Sequence, residues 1–146
     1  MEKYMNIETQ TSTAAPFDLI MEVGHKGRIL VSGSNNDTRY MMRVLLELWG
    51  YEVEESAGED ETVLAAEHFL PNVILIDASR LFDDDLKIVS RLRITALTES
   101  LPIFVLSGYT QQKYQRAAFN HGATNMLAKP LDLDLLEVCL EAALPV

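Results

Sequence analysis

Hydrophobic and polar positions follow two alternating periods along most of this chain. Short runs rich in β-branched and aromatic residues, typical of strands, are each followed by a stretch in which apolar residues recur every three or four positions, as on one side of a helix. The strand-like runs cover residues 28–32, 51–55, 72–77, 102–107 and 125–128. The helical patterns lie near residues 37–49, 59–69, 84–96, 110–121 and 132–144. A strand followed by a helix is therefore predicted five times.

Two details of this pattern indicate the fold class. The third and fourth strand segments, VILID (73–77) and IFVLS (103–107), are continuously apolar, as expected of central strands covered on both faces. The first helix carries Met42 and Leu46 on one side and stops at Gly50, a residue typical of the position just beyond a helix end. We therefore predict an α/β fold of the (βα)5, flavodoxin-like type: a five-stranded parallel sheet with helices on both faces and right-handed crossovers.

The first part of the chain differs from the rest. Residues 1–26 are predicted to be an N-terminal extension, followed by one domain over residues 27–146. The extension opens with a polar stretch of Thr, Ser and Ala and closes on PFDLIMEVGHKG, in which Phe17, Ile20 and Met21 are spaced to form one apolar side of a short helix. Two interpretations stay open: a frayed extension, or a segment that docks on its own domain or on a second copy.

Composition and charge narrow the function classes. Of the 146 residues, 48% are hydrophobic and 23% are charged, as in an ordinary globular domain that can bury a core. The formal net charge of -10 argues against duplex nucleic acid and anionic membranes, and it favours a protein partner with a basic surface. One cysteine excludes an internal disulfide, and three scattered histidines match no zinc-site spacing. Without a secretory signal or a membrane-length apolar run, a cytoplasmic location is predicted.

Polar side chains stand at the ends of the predicted strands. Ser32–Asn35 follow the first strand, Asp77 ends the third, Ser107 ends the fourth, and Lys129 follows the fifth. Because the carboxyl ends of parallel strands meet at one edge of a sheet, we expect these side chains to surround one pocket. A carboxylate, a hydroxyl and an ammonium group in one pocket can bind or transfer a phosphoryl group.

At these residues the chain resembles the receiver domain of bacterial two-component response regulators. Four segments carry the resemblance, in the family's order and spacing: RILVSGSNNDTRYMMRVLLELWGYEVEES, PNVILIDASRLFDDDLKIVSRLR, LPIFVLSG and GATNMLAKPLDLDLL. Together they extend over roughly residues 27–144. The resemblance therefore covers the whole of the predicted domain.

The resemblance implies a phosphorylation site and an output surface. Asp77 would accept a phosphoryl group from a histidine kinase, and Ser107 and Lys129 would bind the phosphoryl oxygens. The bond between Lys129 and Pro130 is expected to be cis, which costs little before proline. Contacts with the kinase or with a downstream effector protein are expected at residues 110–144, and a homodimer is a further option.

The chain departs from the family where a divalent cation would bind. Two adjacent acidic residues normally follow the first strand and bind the cation together with the phosphoacceptor, but Gly33 and Ser34 occupy those positions here. Mg²⁺ needs hard oxygen ligands and gives up its waters reluctantly, so carboxylates supply most of the attraction. Without the acidic pair, Asp77 and Lys129 can neutralise each other. We predict weak or absent Mg²⁺ binding at Asp77, slow or absent phosphorylation, and no other cofactor.

Two acidic groups close to this region have a simpler explanation than metal binding. Asp37 begins the first predicted helix, where Asp is a favoured N-cap residue. Asp83, Asp84 and Asp85 precede the third predicted helix, and acidic residues stabilise a first helical turn. Helix capping is therefore the favoured interpretation of both groups.

Further departures concern the switch that reports phosphorylation. The fifth-strand position that is normally Tyr or Phe is Met126, which has neither a hydroxyl nor a rigid ring. Ser107, the other half of that coupling, is retained, although an ordinary strand-end hydroxyl bonded to backbone explains it equally well. Tyr109 either covers the pocket or packs on the surface.

Three functional hypotheses follow. The first is a degenerate receiver without an output domain that binds another protein, or itself, independently of phosphorylation. The second is a working single-domain response regulator phosphorylated on Asp77, with Ser34, Asn35 or an acidic loop residue helping to hold the metal. The third is a flavodoxin-like binder of an anion or cofactor, because SGSNNDT resembles a phosphate-binding loop at a helix N-terminus. No pattern of catalytic residues or nucleotide-binding motif indicates an enzyme.

Overall fold

The computed structural model, which describes residues 26–78 and 82–144, confirms the predicted alternation of strands and helices. The strands are β1 (Arg28–Gly33), β2 (Glu52–Ser56), β3 (Val73–Asp77), β4 (Ile103–Ser107) and β5 (Asn125–Ala128). The helices are α1 (Asn36–Leu48), α2 (Glu59–Phe69), α3 (Phe82–Arg93), α4 (Gln112–His121) and α5 (Leu133–Ala143). The largest difference from the sequence pattern is in α3, which begins and ends earlier than expected.

The five strands form one parallel sheet in the order β2-β1-β3-β4-β5. The chain therefore moves outward from β1 in one direction and then crosses back to add β3 on the other side. In open α/β sheets the crevice at this reversal is where ligands bind. The register places Gly33, the last residue of β1, directly beside Asp77, the last residue of β3.

Helices cover both faces of the sheet and bury a core on each. On one face α1 and α5 pack through Met42, Leu46, Leu136 and Leu140. On the other face α2, α3 and α4 pack, and Leu86 of α3 is fully buried there. Every residue of β3 and β4 is buried, which explains their continuous apolar sequence. No helix in the described ranges is long and apolar enough to cross a membrane.

Lys26 and Gly27, the first described residues, pack between the ends of α1 and α5 just before β1 begins. The N–H of Lys26 donates to the carbonyl oxygen of Gly50 at 2.7 Å. Gly27 has a φ of +149°, and a Cβ at that position would lie 3.1 Å from both the Leu144 side chain and the Asn72 amide oxygen. A larger residue at position 27 would be strained for both reasons.

The Arg93 side chain of α3 connects the loop before β4 with the turn after α4. Its guanidinium donates to the carbonyl oxygens of Leu101 at 2.7 Å, Gly122 at 2.8 Å, Glu99 at 3.2 Å and Thr98 at 3.3 Å. Burial lowers the pKa of this guanidinium from its ordinary value. The charge is thus held by carbonyl dipoles of the loop before β4 and the turn after α4.

Replacing Arg93 by Met should destabilise the domain. Met keeps most of the aliphatic bulk but removes all of these donors, and a hydrogen bond to a charged group contributes about 1.5–3 kcal/mol. We expect the free energy of unfolding to fall by about 2 kcal/mol or more. Urea denaturation followed by far-ultraviolet circular dichroism measures it.

Arg91→Met is the matched control, because Arg91 lies on the same helix two residues earlier. Its exposed guanidinium pairs only with the surface carboxylates of Glu59 and Asp60 in the described chain. Exposed ion pairs contribute little, so this variant should unfold close to the wild-type midpoint. Equal losses in the two variants would contradict the role given to the carbonyl contacts of Arg93.

Candidate functional site

The carboxyl edge of the sheet gathers the residues that the sequence singled out. β1 ends at Gly33, β3 at Asp77 and β4 at Ser107, and Lys129 directly follows β5. The N–H of Lys129 donates to the carbonyl oxygen of Ser107 at 2.9 Å, and the peptide bond to Pro130 is cis, as expected. The predicted convergence of these residues at one edge therefore holds.

Asp77 lies at the centre of this edge and is paired with Lys129. Its side chain is 9% exposed, and the Lys129 ammonium forms an ion pair with the Oδ1 atom. The same ammonium donates to the Ala78 carbonyl oxygen at 3.2 Å. Oδ1 has no partner with hydrogen-bond geometry, so Lys129 stabilises the carboxylate as a nearby charge rather than as an aligned donor.

Gly33 lies so close to Asp77 that the absence of a side chain matters. A Cβ added at Gly33 would lie 3.0 Å from the Cβ and 3.5 Å from the Oδ2 of Asp77. Any side chain at this position would require β1 or the Asp77 side chain to shift by a few tenths of an ångström. Ser34, the next residue, is exposed.

The loop after β1 turns the chain into α1 by a cap that differs from the predicted one. Asn35 is the N-cap, and its side-chain oxygen accepts a hydrogen bond from the Thr38 N–H at 2.9 Å. The prediction that Asp37 caps this helix was wrong, because the helix begins at Asn36 and places Asp37 in its first turn. Both residue types suit an N-cap, and the position where β1 ends selects the earlier one.

Arg39 holds the end of β1 from the side of β2. Its side chain is 12% exposed, and its guanidinium donates to the Gly33 carbonyl oxygen and to the Asn36 side-chain oxygen. It also lies 3.4 Å from a Glu55 carboxylate oxygen, although its Nε atom has no partner with hydrogen-bond geometry. Sequence reasoning missed Arg39, since its contacts with Gly33 and Asn36 depend on where β1 ends and α1 begins, and its contact with Glu55 depends on the pairing of β2 with β1.

A cluster of three buried hydroxyls lies beneath the same edge. Thr62 Oγ1 is 2.7 Å from Ser32 Oγ and 2.9 Å from Ser56 Oγ. All three residues are at most 1% exposed. The hydroxyls satisfy one another, so they tie α2 to β1 and β2 without offering a free group to a ligand.

Ser107 and Tyr109 form the other side of the edge. Ser107 is fully buried, and its Oγ accepts a hydrogen bond from the Tyr109 N–H at 2.9 Å, as an ordinary strand-end hydroxyl would. The Tyr109 ring packs against Phe82 and Tyr114, with ring centres 5.9 and 4.9 Å away. Met126, like Tyr109, packs against the buried core on the face covered by α2, α3 and α4. Tyr109 is thus part of an aromatic cluster that joins the starts of α3 and α4.

The acidic residues after β3 lie in the first turn of α3, as the capping interpretation expects. These residues are Asp83, Asp84 and Asp85. Asp84 pairs with Lys87 at 3.4 Å on the surface. Residues 79–81, including the unusual Arg80 and Leu81, lie outside the described part of the chain. Within the described part, no three His, Cys, Asp or Glu side chains are grouped so that they could hold a metal ion.

Known proteins similar to this chain have the same architecture. CheY4, a chemotaxis protein of Vibrio cholerae, superimposes with a TM-score of 0.73 and 26% identity, covering 80% of this chain and 98% of CheY4. A CheY-like response regulator receiver domain protein from Methanospirillum hungatei gives a TM-score of 0.68 and 25% identity, covering 80% and 92% of the two chains.

The chain is also similar in sequence to known proteins. An uncharacterized 14.6 kDa protein from the sodA1 3′ region of Leptolyngbya boryana is 30% identical over 111 residues, which are 75% of this chain and 85% of that protein. The transcriptional regulatory protein ZraR of Salmonella typhimurium is 27% identical over 121 residues, so this chain spans about a quarter of its length. The model of the response regulator receiver domain matches residues 29–141. The chain therefore belongs to the response regulator receiver domain family.

Proposed function

We propose that this receiver domain acts as a protein-interaction module in two-component signalling and that phosphorylation of Asp77 is weak or dispensable. The observation that carries the proposal is the composition of the carboxyl edge of the sheet around Gly33, Asp77, Ser107 and Lys129, which we call the acceptor edge. Asp77 is paired with Lys129, and neither Gly33 nor Ser34 brings a second carboxylate to it. One carboxylate and one ammonium cancel, so little charge remains there to attract a cation.

Mg²⁺ is the cation that the receiver family implies, and the residues of this edge fit it poorly. A hard octahedral cation needs several oxygen ligands, of which carboxylates are the strongest. Asp77 offers one carboxylate that already faces an ammonium. The Gly33 carbonyl accepts from Arg39, and the remaining neighbour, Ser34, offers an exposed neutral hydroxyl. Phosphoryl transfer to Asp77 would thus lack the cation that normally offsets the charge of the transferring group.

The proposed interaction surface covers residues 110–144, on α4, β5 and α5. Phe119 is 49% exposed, Leu135 is 48% exposed and Val138 is 60% exposed. These apolar side chains are available for contact with another protein. Acidic residues such as Asp134 share this surface, and they suit a partner whose rim is basic.

A second candidate function is a phosphorylated single-domain receiver. The retention of Asp77, Ser107 and Lys129 at one sheet edge favours it, because a hydroxyl and an ammonium group beside the acceptor carboxylate can donate to phosphoryl oxygens. The flavodoxin-like hypothesis has no comparable support, since the loop that suggested it forms an ordinary helix cap through Asn35.

The two candidates differ in the reaction of Asp77 with a small phosphodonor. Incubation of the purified protein with acetyl phosphate and millimolar Mg²⁺ should give little or no gain of a phosphoryl mass by intact mass spectrometry. A rapid and complete gain, absent in Asp77→Asn, would instead support the phosphorylated receiver.

Restoring the acidic pair should restore Mg²⁺ binding. The Gly33→Asp/Ser34→Asp variant adds two carboxylates beside Asp77, and we expect Mg²⁺ affinity to rise by about tenfold or more. Because a side chain at position 33 crowds Asp77, the variant should also lose some stability. Isothermal titration with MgCl₂ measures the affinity. The control is the triple variant that adds Asp77→Asn to these two substitutions, and it should lose most of the gain in Mg²⁺ affinity. A Mg²⁺ affinity of the Gly33→Asp/Ser34→Asp variant equal to that of the wild type would argue against the charge explanation.

Capture experiments separate the interaction surface from the acceptor site. A partner captured by the immobilised wild-type domain should bind Asp77→Asn with unchanged affinity. It should bind Leu135→Ser/Val138→Ser with an affinity lower by about tenfold or more. Leu64→Ser is the matched control, since Leu64 is 55% exposed on α2, which packs on the opposite face of the sheet. Loss of the partner in Asp77→Asn would contradict independence from phosphorylation.

A further inference from the structure

The outer side of α1, which faces away from the sheet, carries an apolar stripe of exposed side chains. Tyr40, Val44 and Leu48 follow one another at four-residue intervals, and Met41 lies beside them. The exposed fractions are 63% for Tyr40, 70% for Met41, 38% for Val44 and 79% for Leu48. The opposite side of the same helix packs on the sheet. A surface helix is normally apolar on one side only, so this α1 stripe is suited to a packing partner.

The two ends of the α1 stripe carry exposed charges of opposite sign. Asp37 lies in the first turn of α1, just before Tyr40. Beyond the other end, the N–H of Lys26 donates to the carbonyl oxygen of Gly50, two residues past Leu48, and this contact keeps an exposed ammonium group there. The surface is thus negative at one end, apolar in the middle and positive at the other end. Such a surface is complementary to itself when one copy is turned end over end.

One flank of the α1 stripe also carries both signs of charge. Arg43 and Glu47 are four residues apart on α1, and their side chains form an ion pair at 3.2 Å. The Arg43 side chain is 43% exposed and that of Glu47 is 45% exposed, so both can reach a neighbouring molecule. In an antiparallel pair of α1 helices centred on Val44, Arg43 of one copy lies within one helical turn of Glu47 of the other. A strongly acidic or strongly basic partner would instead meet a like charge on this flank.

We propose that α1 pairs with α1 of a second copy of this chain in an antiparallel, two-fold symmetric contact. Tyr40 of each copy then packs on Leu48 of the other, and Val44 meets its own counterpart at the centre. Asp37 of each copy lies beside Lys26 of the other. A parallel pair would place like charges together at both ends, which is unfavourable. The charges at the ends of the α1 stripe therefore select the antiparallel arrangement.

The formal net charge of -10 on each chain is compatible with this contact. Physiological salt screens charges that are farther apart than about 8 Å, so the groups nearest the contact decide its electrostatic energy. Around the α1 stripe, Lys26 and Arg43 balance Asp37 and Glu47. The stripe is small compared with a stable interface, which uses about 20–30 residues on each side. We therefore expect a weak dimer that forms at high micromolar concentration.

The contact through α1 leaves the surface at residues 110–144 available, because the two surfaces use different residues. It does not depend on the function proposed for that surface. A dimer through α1 would present two copies of that surface at once, so a partner with two matching sites would bind it with avidity.

Sedimentation equilibrium of the full chain, from roughly 10 µM to 1 mM, tests for the dimer. The average mass should rise toward twice the monomer mass. In Leu48→Ser the dissociation constant should be larger by about tenfold or more, because the substitution occurs twice in a two-fold contact. A wild type that stays monomeric at all concentrations would overturn the proposal in favour of a different protein as the partner of the α1 stripe.

Two matched controls separate α1 from the other exposed apolar side chains. Ile94→Ser removes a side chain that is 84% exposed after α3, and Leu135→Ser/Val138→Ser changes the exposed side of α5. Both variants should dimerise as the wild type does. A dimer that is weakened by either control as much as by Leu48→Ser would overturn the assignment to α1.

Charge reversal tests the antiparallel arrangement. Asp37→Lys and Lys26→Asp each create two like-charge contacts in the dimer, so each variant alone should have a dissociation constant that is several-fold larger. An equimolar mixture of the two variants should recover the wild-type dissociation constant, because both contacts in the mixed pair again join opposite charges. Far-ultraviolet circular dichroism confirms that each variant is folded. A mixture that dimerises no better than the separate variants would overturn the antiparallel pairing.

Discussion

The pairing of β1 with β3 is the constraint on which the rest of the domain depends. It places the end of β1 beside the end of β3, and with them Gly33 beside Asp77. The helices cover both faces of the sheet, so the central strands β3 and β4 are buried along their whole length, and their polar residues Asp77 and Ser107 stand where they end. The position of the acceptor edge is therefore set by the topology of the sheet rather than by any single side chain.

What the edge can do then depends on how its charges are paired. Lys129 faces the Asp77 carboxylate, and Arg39 faces the Gly33 carbonyl and Glu55 on the other side of β1. Two oxygens that a cation would seek, on the Asp77 carboxylate and the Gly33 carbonyl, thus each face a cationic side chain of the protein. The surface proposed for protein contact on α4 and α5 has the opposite character, since it keeps apolar side chains in water. This contrast is the basis of our proposal that the domain acts through contacts with other proteins.

Much of this could be predicted from the sequence. The periods of apolar residues gave the order of strands and helices, because amphipathic helices and buried strands leave strong local patterns. Asp77, Ser107 and Lys129 were found at one edge because strand ends in a parallel sheet must meet there. The N-cap at Asn35 was missed, since two suitable residues stand close together and only the end of β1 decides between them. The contacts of Arg39 could not be predicted, since they depend on where β1 ends and on the pairing of β2 with β1.

The close approach of Gly33 to Asp77 limits which side chains the end of β1 can carry. A Cβ at this position would lie 3.0 Å from the Asp77 Cβ, which is closer than side chains normally pack. An acidic residue at position 33 would require β1 or the Asp77 side chain to shift by a few tenths of an ångström. A carboxylate added at this position would therefore bring a packing cost together with a cation ligand, so metal binding and the packing of β1 against β3 are coupled here.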